Sequence, residues 1–271
     1  MLISKNISFH IGKKAILHQC SMEVKPGRFT AIIGPNGAGK SSLLKALAKE
    51  LPFEQGEVLL NGQNLKGIDT TDLSKMRAVM PQHTHISFPY NIEQIIEVGR
   101  FAHKSSKQEN DAVIDAVIKH NQLGSYRKRI YQTLSGGEQQ RVQLARIMAQ
   151  VWGKTTYPKY LLLDEPTSDL DIHHQHGLLN TAKNLCQQNM GIVAVLHDLN
   201  LAAQYADDIV LMKNGKIIHQ GLCNEVLTKE NIEKVFDHPV EIFTEPKTGK
   251  QVIISIPKTF TEEPLKQTNY A

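Results

Sequence analysis

The sequence has few of the residues that would mark a secreted or a nucleic-acid-binding protein. Its three cysteines, Cys20, Cys186 and Cys223, are too few for a disulfide framework and too scattered for a zinc site, so they fit a reducing compartment. The net charge of +4 over 271 residues is mild, and no basic stripe is interleaved with aromatic residues. This pattern argues against nucleic acid as a partner.

Long apolar runs are also missing. No stretch approaches the roughly 18–20 uninterrupted apolar residues of a transmembrane helix, and residues 1–6 lack the basic-then-apolar pattern of a signal peptide. The hydrophobic content of 41% is ordinary for a soluble protein. We therefore expect a soluble cytoplasmic chain whose core forms one domain with a subdomain.

The most informative segment fits the pattern G-x-x-x-x-G-K-[ST] and follows an apolar run, residues 29–33, that predicts a buried strand. Its glycines let the backbone wrap around an anion, and the amides at the start of the next helix point at phosphate oxygens. Lys40 is placed to reach the β- and γ-phosphates, and the Ser41 hydroxyl to ligate Mg²⁺. A chance glycine-rich turn is disfavoured by the strand–loop–helix context. We assign nucleoside triphosphate binding to Gly34, Pro35, Asn36, Gly37, Ala38, Gly39, Lys40, Ser41 and Ser42.

Two carboxylates follow a second apolar run, at residues 160–163. A buried parallel strand there would deliver Asp164 and Glu165 to the carboxyl edge of a sheet. We expect Asp164 to hold Mg²⁺ and Glu165 to polarise the attacking water as general base. An ordinary strand with an acidic turn would look similar, so this signal needs the other motifs.

Residues 134–141 read L-S-G-G-E-Q-Q-R, and this segment resembles the signature sequence of the ATP-binding cassette (ABC) ATPases. Ser135, Gly136 and Gly137 also fit a helix N-cap turn. Both interpretations hold together, because a capped helix start directs its amides outward and suits a phosphate contributed by another molecule.

Three further cassette elements occur in the expected order. The resemblance implies that Gln82 contacts Mg²⁺ or the attacking water. It also implies that His197 contacts the γ-phosphate, and that Ser168–Asp171 forms the D-loop. Asp169 stands in that loop where a small residue is more usual.

One departure from the family pattern affects binding of the adenine base. Ile11 replaces the aromatic residue on which cassettes usually stack adenine, so Phe9, His10 or an aliphatic surface would have to take its place.

The resemblance covers roughly residues 1–255 and implies an α/β fold. We expect a P-loop NTPase (RecA-like) core with an antiparallel β subdomain and an inserted α-helical subdomain at about 85–150. An ABC ATP-binding domain would span 1–256, and 257–271 would be a disordered tail. Periodicity predicts helices at 91–98, 108–120, 138–150, 172–188 and 199–205, strands at 192–196, 209–212 and 217–220, and a hairpin turn at 213–215.

In the family, two cassettes meet head to tail and sandwich two ATP molecules between them. The resemblance therefore implies ATP and Mg²⁺ as cofactors, ATP hydrolysis to ADP and phosphate, and a homodimer. Non-transport ABC ATPases are disfavoured. Chromosome and repair ATPases need a long coiled coil between Lys40 and Ser135, and ribosome-associated members usually carry two cassettes.

Within the family, the chain is most similar to ATPases of importers for iron chelates, vitamin B12 and haem, and among these to the hemin-importing subgroup. The short insertion at 152–158 is typical of that subgroup.

The resemblance implies hemin uptake through two transmembrane permease subunits, with residues 82–90 docking a cytoplasmic permease helix. A periplasmic haem-binding protein would take part indirectly, and the chain would lie at the cytoplasmic face of the inner membrane. A ferric siderophore or vitamin B12 importer is the alternative. The segments that carry the similarity are 131–146, 149–152, 158–168 and 171–176.

Two histidine clusters, at residues 83 and 85 and at 173, 174 and 176, raise the question of a metal or haem site. No cysteine or carboxylate stands at convergent spacing near the second cluster. We therefore interpret residues 173–176 as a solvated face at the start of a helix.

Overall fold

In a computed structural model, residues 1–257 fold into three β-sheets and nine α-helices, and these residues are the ones the structure describes. The expected tail, 257–271, lies outside them apart from Pro257. The strands are β1 (Leu2–Ile11), β2 (Lys14–Val24), β3 (Phe29–Ile33), β4 (Gln55–Leu60), β5 (Gln63–Asn64), β6 (Arg77–Met80), β7 (Lys159–Asp164), β8 (Met190–Val195), β9 (Asp208–Lys213), β10 (Lys216–Leu222), β11 (Val240–Thr244) and β12 (Gln251–Ser255). The helices are α1 (Lys40–Leu47), α2 (Thr70–Met76), α3 (Ile92–Val98), α4 (Lys107–His120), α5 (Gly136–Gln150), α6 (Ile172–Leu185), α7 (Leu199–Tyr205), α8 (Cys223–Val226) and α9 (Lys229–Phe236).

The central sheet has six strands in the order β10-β9-β3-β8-β7-β6. The five strands from β9 to β6 are parallel, and β10 pairs antiparallel to β9. Every residue of β3, β7 and β8 is buried, as expected for strands covered on both faces. This sheet confirms the predicted α/β core and brings the residues that follow β3, β7 and β8 to one edge.

A second, antiparallel sheet has the order β2-β1-β4-β5 and lies over α1. The apolar side of α1, including Leu43, Leu44 and Leu47, is buried in one hydrophobic cluster with Leu2 and Leu17 of the antiparallel sheet. Since α1 begins at the phosphate loop, this packing fixes the loop between the two sheets.

Three α-helices, α3, α4 and α5, lie between β6 and β7. Each begins with a capping box, in which the N-cap side chain accepts from the N3 amide and the N3 side chain accepts from the N-cap amide. The N-caps are Asn91, Ser106 and Ser135. Helix α5 packs against α3 and α4 on one side and against β6 and α6 on the other. It therefore joins the helical segment to the core.

Two details differ from the predictions. Helix α6 ends at Leu185 and continues as a 3₁₀ turn, Cys186–Gln188, where an α-helix was expected to 188. The chain after β10 forms α8, α9 and a β11-β12 hairpin that periodicity did not predict. The turn at 213–215 is confirmed, with Asn214 at φ 49° and Gly215 at φ 74°. Over residues 1–257, no helix is both long enough and apolar enough to cross a bilayer.

Candidate nucleotide-binding and catalytic site

The phosphate loop runs from the end of β3 to the start of α1. Gly39 is the N-cap of α1 at φ 96°, and no side chain caps this helix start. The first backbone amides of α1 are therefore available to bind an anion. A Cβ at Gly39 would lie 2.9 Å from the carbonyl oxygen of Ile16, so the position needs glycine for space as well as for conformation. The loop lies in a cleft of about 750 Å³.

Lys40 is buried within this loop. Its ammonium donates to the carbonyl oxygens of Gly34 at 2.9 Å and Pro35 at 3.1 Å. Burial lowers the pKa of Lys40, while the negative charges of Glu165 and Asp164 oppose that shift. The side chain is therefore held at the phosphate loop with two carboxylates nearby, where an anionic phosphate would replace the backbone carbonyls as its partner.

The Ser41 hydroxyl donates to Asp164 Oδ1 at 2.7 Å, so two of the three predicted Mg²⁺ ligands meet, while Gln82 instead contacts Glu165. Burial raises the pKa of Asp164, and the hydrogen bond from Ser41 opposes that rise. The donors are hard oxygens, as Mg²⁺ prefers. Within residues 1–257 no group of three or more His, Cys, Asp or Glu side chains is placed to hold a metal ion.

Glu165 brings three other predicted elements together. The Gln82 amide donates to Glu165 Oε2 at 2.6 Å, and His197 Nε2 lies 2.6 Å from Glu165 Oε1. The Ser168 hydroxyl donates to the backbone oxygen of Glu165 at 2.9 Å. Glu165 itself has φ 49°, in the left-handed region, which turns the chain sharply at the end of β7. The carboxylate is thus oriented by an amide and an imidazole from two different loops.

The signature residues lie on a different element from the phosphate loop. Ser135 is the N-cap of α5, and its hydroxyl accepts from the amide of Glu138. Ser135 and Gly136 are exposed, as is Asp169 on the loop after β7. The structure therefore presents these residues to solvent in the single chain and does not bring them onto the same chain's phosphate loop cleft.

The β1-β2 hairpin carries the residues for which the sequence predicts contact with adenine. Phe9 is half-buried against the core cluster that contains α1, and His10 Nδ1 lies 2.6 Å from Glu54. Ile11 is 64% exposed. Neither Phe9 nor His10 lines the cleft, which the β1-β2 hairpin lines with Lys14, Ala15, Ile16 and His18. Which of the expected surfaces holds adenine stays a prediction.

The turn between β9 and β10 was predicted only as a hairpin, yet it lines the same cleft. The amide of Gly215 donates to the Ala38 carbonyl at 3.0 Å, and its carbonyl accepts from the His18 amide at 2.8 Å. The turn thereby links the phosphate loop to β2. A left-handed Asn-Gly turn predicts a hairpin but carries no information about the distant loop that it touches.

The histidines after the D-loop are less solvated than expected. His174 Nδ1 lies 2.8 Å from Asp171, and His176 Nδ1 lies 2.7 Å from the Tyr205 hydroxyl. Both side chains are half-buried, and only His173 of this cluster is exposed. The solvated-face interpretation therefore holds for His173 alone.

Comparison with known proteins decides the family. Residues 17–168 match the family model described as ABC transporter. The chain belongs to the ABC transporter family. A hemin import ATP-binding protein, HmuV, of Rhizobium meliloti (strain 1021) is 40% identical over 248 residues, covering 91% of this chain and 95% of that protein. The protein of the same name from Escherichia coli O157:H7 is 40% identical over 256 residues, covering 94% and 99%.

Solved structures agree with this family. A metal-chelate type ABC transporter in an inward-facing conformation matches with a TM-score of 0.80 at 25% identity, covering 95% of this ABC cassette and 98% of that chain. A nucleotide-free ATP-binding cassette from an ABC transporter matches with a TM-score of 0.73 at 21% identity and shares the fold. The P-loop cassette fold predicted from the motifs is thereby confirmed, and membership of the family makes the chain an ABC ATPase that binds ATP.

Proposed function

We propose that this cassette is the ATP-hydrolysing subunit of a hemin importer at the cytoplasmic face of the inner membrane. The observation that carries the hydrolytic part is the placement of Gln82 and His197 on the two oxygens of Glu165. The cargo is supported by the names of relatives that are 40% identical over nearly their whole length. A ferric siderophore or vitamin B12 importer is the alternative, and the metal-chelate type transporter of similar structure is the observation in its favour.

In the proposed reaction, the loop Gly34–Ser42 binds the ATP phosphates through its amides and Lys40. Glu165 takes a proton from the attacking water, while Gln82 and His197 fix the orientation of its carboxylate. Ser41, Gln82 and Asp164 would hold Mg²⁺, which when bound neutralises charge on the β- and γ-phosphates. Adenine would pack on Ala15, Ile16 and His18, which line the cleft from β2.

The exposure of Ser135 and Gly136 supports a second subunit. Ser135, Gly136 and Gly137 at the start of α5 would bind the γ-phosphate of ATP held by the partner's phosphate loop, and Asp169 would lie in the same interface. A head-to-tail homodimer closes this arrangement with two equivalent ATP sites. ATP would favour the closed dimer, and hydrolysis would remove the phosphate that bridges its halves.

Two permease subunits would receive this movement through the segment after Gln82. Phe88 is 67% exposed and Tyr90 47% exposed, with their ring centroids 6.1 Å apart. Exposed neighbouring aromatics of this kind mark a contact surface. The segment lies between β6 and α3, so it joins the core to the helical segment.

We propose that the ABC domain is 1–256 with a helical subdomain at about 85–150, because α3, α4 and α5 lie there.

The test is a purification from mildly solubilised membranes with Glu165→Gln and ATP. A polytopic permease should co-purify, with a periplasmic haem-binding protein as its indirect partner. A Phe88→Asp version should lose the permease but keep ATP binding, while Phe101→Asp, which alters an aromatic that is 80% exposed elsewhere, should keep both. Recovery of a permease with a different binding protein would overturn the cargo, and recovery of ribosomes or DNA without any permease would overturn transport.

A further inference from the structure

The two glycines of the signature differ in what surrounds them. Gly136 is exposed, and a Cβ built on it would meet nothing within 4 Å. Gly137 is buried, and a Cβ there would overlap the imidazole ring of His174 and lie 2.9 Å from its Cβ. Gly137 lies inside α5 and is not among the positive-φ residues, so its backbone would accept alanine. What excludes a side chain at Gly137 is the ring of His174.

The His174 ring is itself held in place. Its Nδ1 lies 2.8 Å and 2.9 Å from the two carboxylate oxygens of Asp171. Because an ionised carboxylate can only accept, Nδ1 must carry the proton and donate to it. The backbone amide of His174 donates to the same carboxylate at 2.8 Å. The two contacts of Nδ1 orient the ring and the amide contact holds the backbone of His174, so the Cγ–Cδ2 edge of the ring faces Gly137.

Asp171 is the N-cap of α6 and the last residue of the D-loop that begins at Ser168. The Ser168 hydroxyl and amide both donate to the backbone oxygen of Glu165, at 2.9 Å and 3.2 Å. The Ser168 hydroxyl also lies 3.4 Å from Glu165 Oε2. The D-loop, from Ser168 to Asp171, thus connects His174 at the signature helix to the backbone and the carboxylate of Glu165.

This connection matters because of the dimer, so the inference rests on the proposed function. In a head-to-tail dimer, Glu165 acts on the ATP of its own phosphate loop, whereas Ser135–Gly137 contact the ATP of the partner. We propose that His174 is a positioning residue that couples the two ATP sites, by packing on Gly137 while Asp171 holds it to the D-loop. A change at one site would shift the ring and, with it, the helix start that serves the other site.

The contact predicts a specific compensation. In the Glu165→Gln background, Gly137→Ala should weaken ATP-dependent dimer association by roughly ten- to a hundredfold, since overpacking displaces the helix start. Adding His174→Gly removes the ring and Cβ that the new methyl meets, so it should restore most of that loss. Gly136→Ala serves as the matched control. It meets no side chain in the single chain, so His174→Gly should not restore association there. His173→Gly, at the exposed neighbour, should restore neither.

The coupling between the two ATP sites is measured by the cooperativity of ATP hydrolysis. With the catalytic Glu165 intact, the wild-type chain should hydrolyse ATP with a Hill coefficient above 1. His174→Gly should bring it toward 1 while leaving the affinity of the monomer for ATP unchanged. The proposal is overturned if His174→Gly fails to rescue Gly137→Ala, if it rescues Gly136→Ala equally, or if the Hill coefficient does not change. A parent chain that never associates in ATP would instead overturn the proposed function.

Discussion

The side-chain amide of Gln82 donates a 2.6 Å hydrogen bond to Glu165 Oε2, while His197 Nε2 lies 2.6 Å from the other carboxylate oxygen. Gln82 follows β6 and precedes the helical segment, and His197 follows β8. The carboxylate of Glu165 therefore contacts residues from two loops. Any movement of the helical segment that draws Gln82 away would remove one of these contacts. This arrangement gives a physical route by which dimer closure or permease contact would reach Glu165, the proposed general base.

Replacing Glu165 with glutamine should separate binding from hydrolysis. The amide keeps the shape and a hydrogen-bonding oxygen but cannot take a proton from water, so turnover should fall by roughly 10²–10⁴-fold. ATP binding should persist, because the loop and Lys40 are untouched. Phosphate release and nucleotide titration on the same sample measure the two quantities. Near-normal turnover would rule out Glu165 as general base.

Lys40→Ala should weaken nucleotide binding, because it removes the buried ammonium that lies at Gly34 and Pro35. Lys104→Ala is the matched control, since Lys104 is an exposed lysine away from the cleft. Fluorescent-nucleotide titration of both variants gives the comparison. An affinity equal to that of the control would contradict the phosphate-binding role of Lys40.

Ser135→Arg should block the closed dimer while the monomer still binds ATP, because the bulky cation would occupy the start of α5 where the partner's phosphate is expected. The change also removes an N-cap, which costs about 1 kcal/mol. Ser106→Arg controls for this cost, since Ser106 caps α4 with the same Ser–Glu capping box. ATP-dependent dimerisation of the Ser135 variant equal to that of the Ser106 variant would disprove the head-to-tail arrangement.

The buried Lys159 predicts a pH dependence of stability. Its ammonium donates to the carbonyl oxygens of Val151 at 3.0 Å, Trp152 at 3.3 Å and Gly153 at 3.0 Å, at the end of α5. Burial lowers the pKa of Lys159 to about 8 from an ordinary value of 10.5. Because the unfolded chain holds this proton up to higher pH, the contribution of Lys159 to the free energy of unfolding is greatest above pH 10.5. It is lost as pH falls through about 8.

Urea unfolding at pH 7 and pH 10.5 tests this prediction. The free energy of unfolding of the wild type, taken relative to Lys159→Met, should rise between those two values. Lys154→Met, at an exposed lysine in the same loop, should not change the pH dependence. Parallel pH curves for the wild type and Lys159→Met would contradict the shifted pKa.

Much of the site could be predicted because its motifs are local. A buried strand, a glycine loop and a helix start lie within one short segment, so the position of Lys40 follows from residues 29–47 alone. Likewise Asp164 is the last residue of β7 and Glu165 directly follows it, and parallel strands bring their carboxyl ends to one edge. Because Gln82 and His197 follow β6 and β8, the strands on either side of β7, this edge also brings them to Glu165.

What could not be predicted depends on contacts between distant segments. Phe9 is half-buried while His10 is exposed. The pairing of β1 with β2 has register shifts between Ile7 and Phe9 and between Phe9 and His10, and no local pattern predicts such irregularities. The contact between Gly137 and His174 arises where α5 packs on α6, and no spacing in the sequence encodes it. The β11-β12 hairpin is held through Asn200, whose side chain bonds both backbone groups of Ile253, at 2.8 Å and 3.1 Å.

The most direct test of the account is sedimentation of Glu165→Gln with Mg²⁺ and either ATP or ADP. Two cassettes that each lack half of an ATP site should associate only when ATP fills the interface and is not hydrolysed. We expect a dimer with ATP and a monomer with ADP, and the same shift in the absence of any permease. A chain that binds ATP yet sediments as a monomer with both nucleotides would contradict the head-to-tail mechanism.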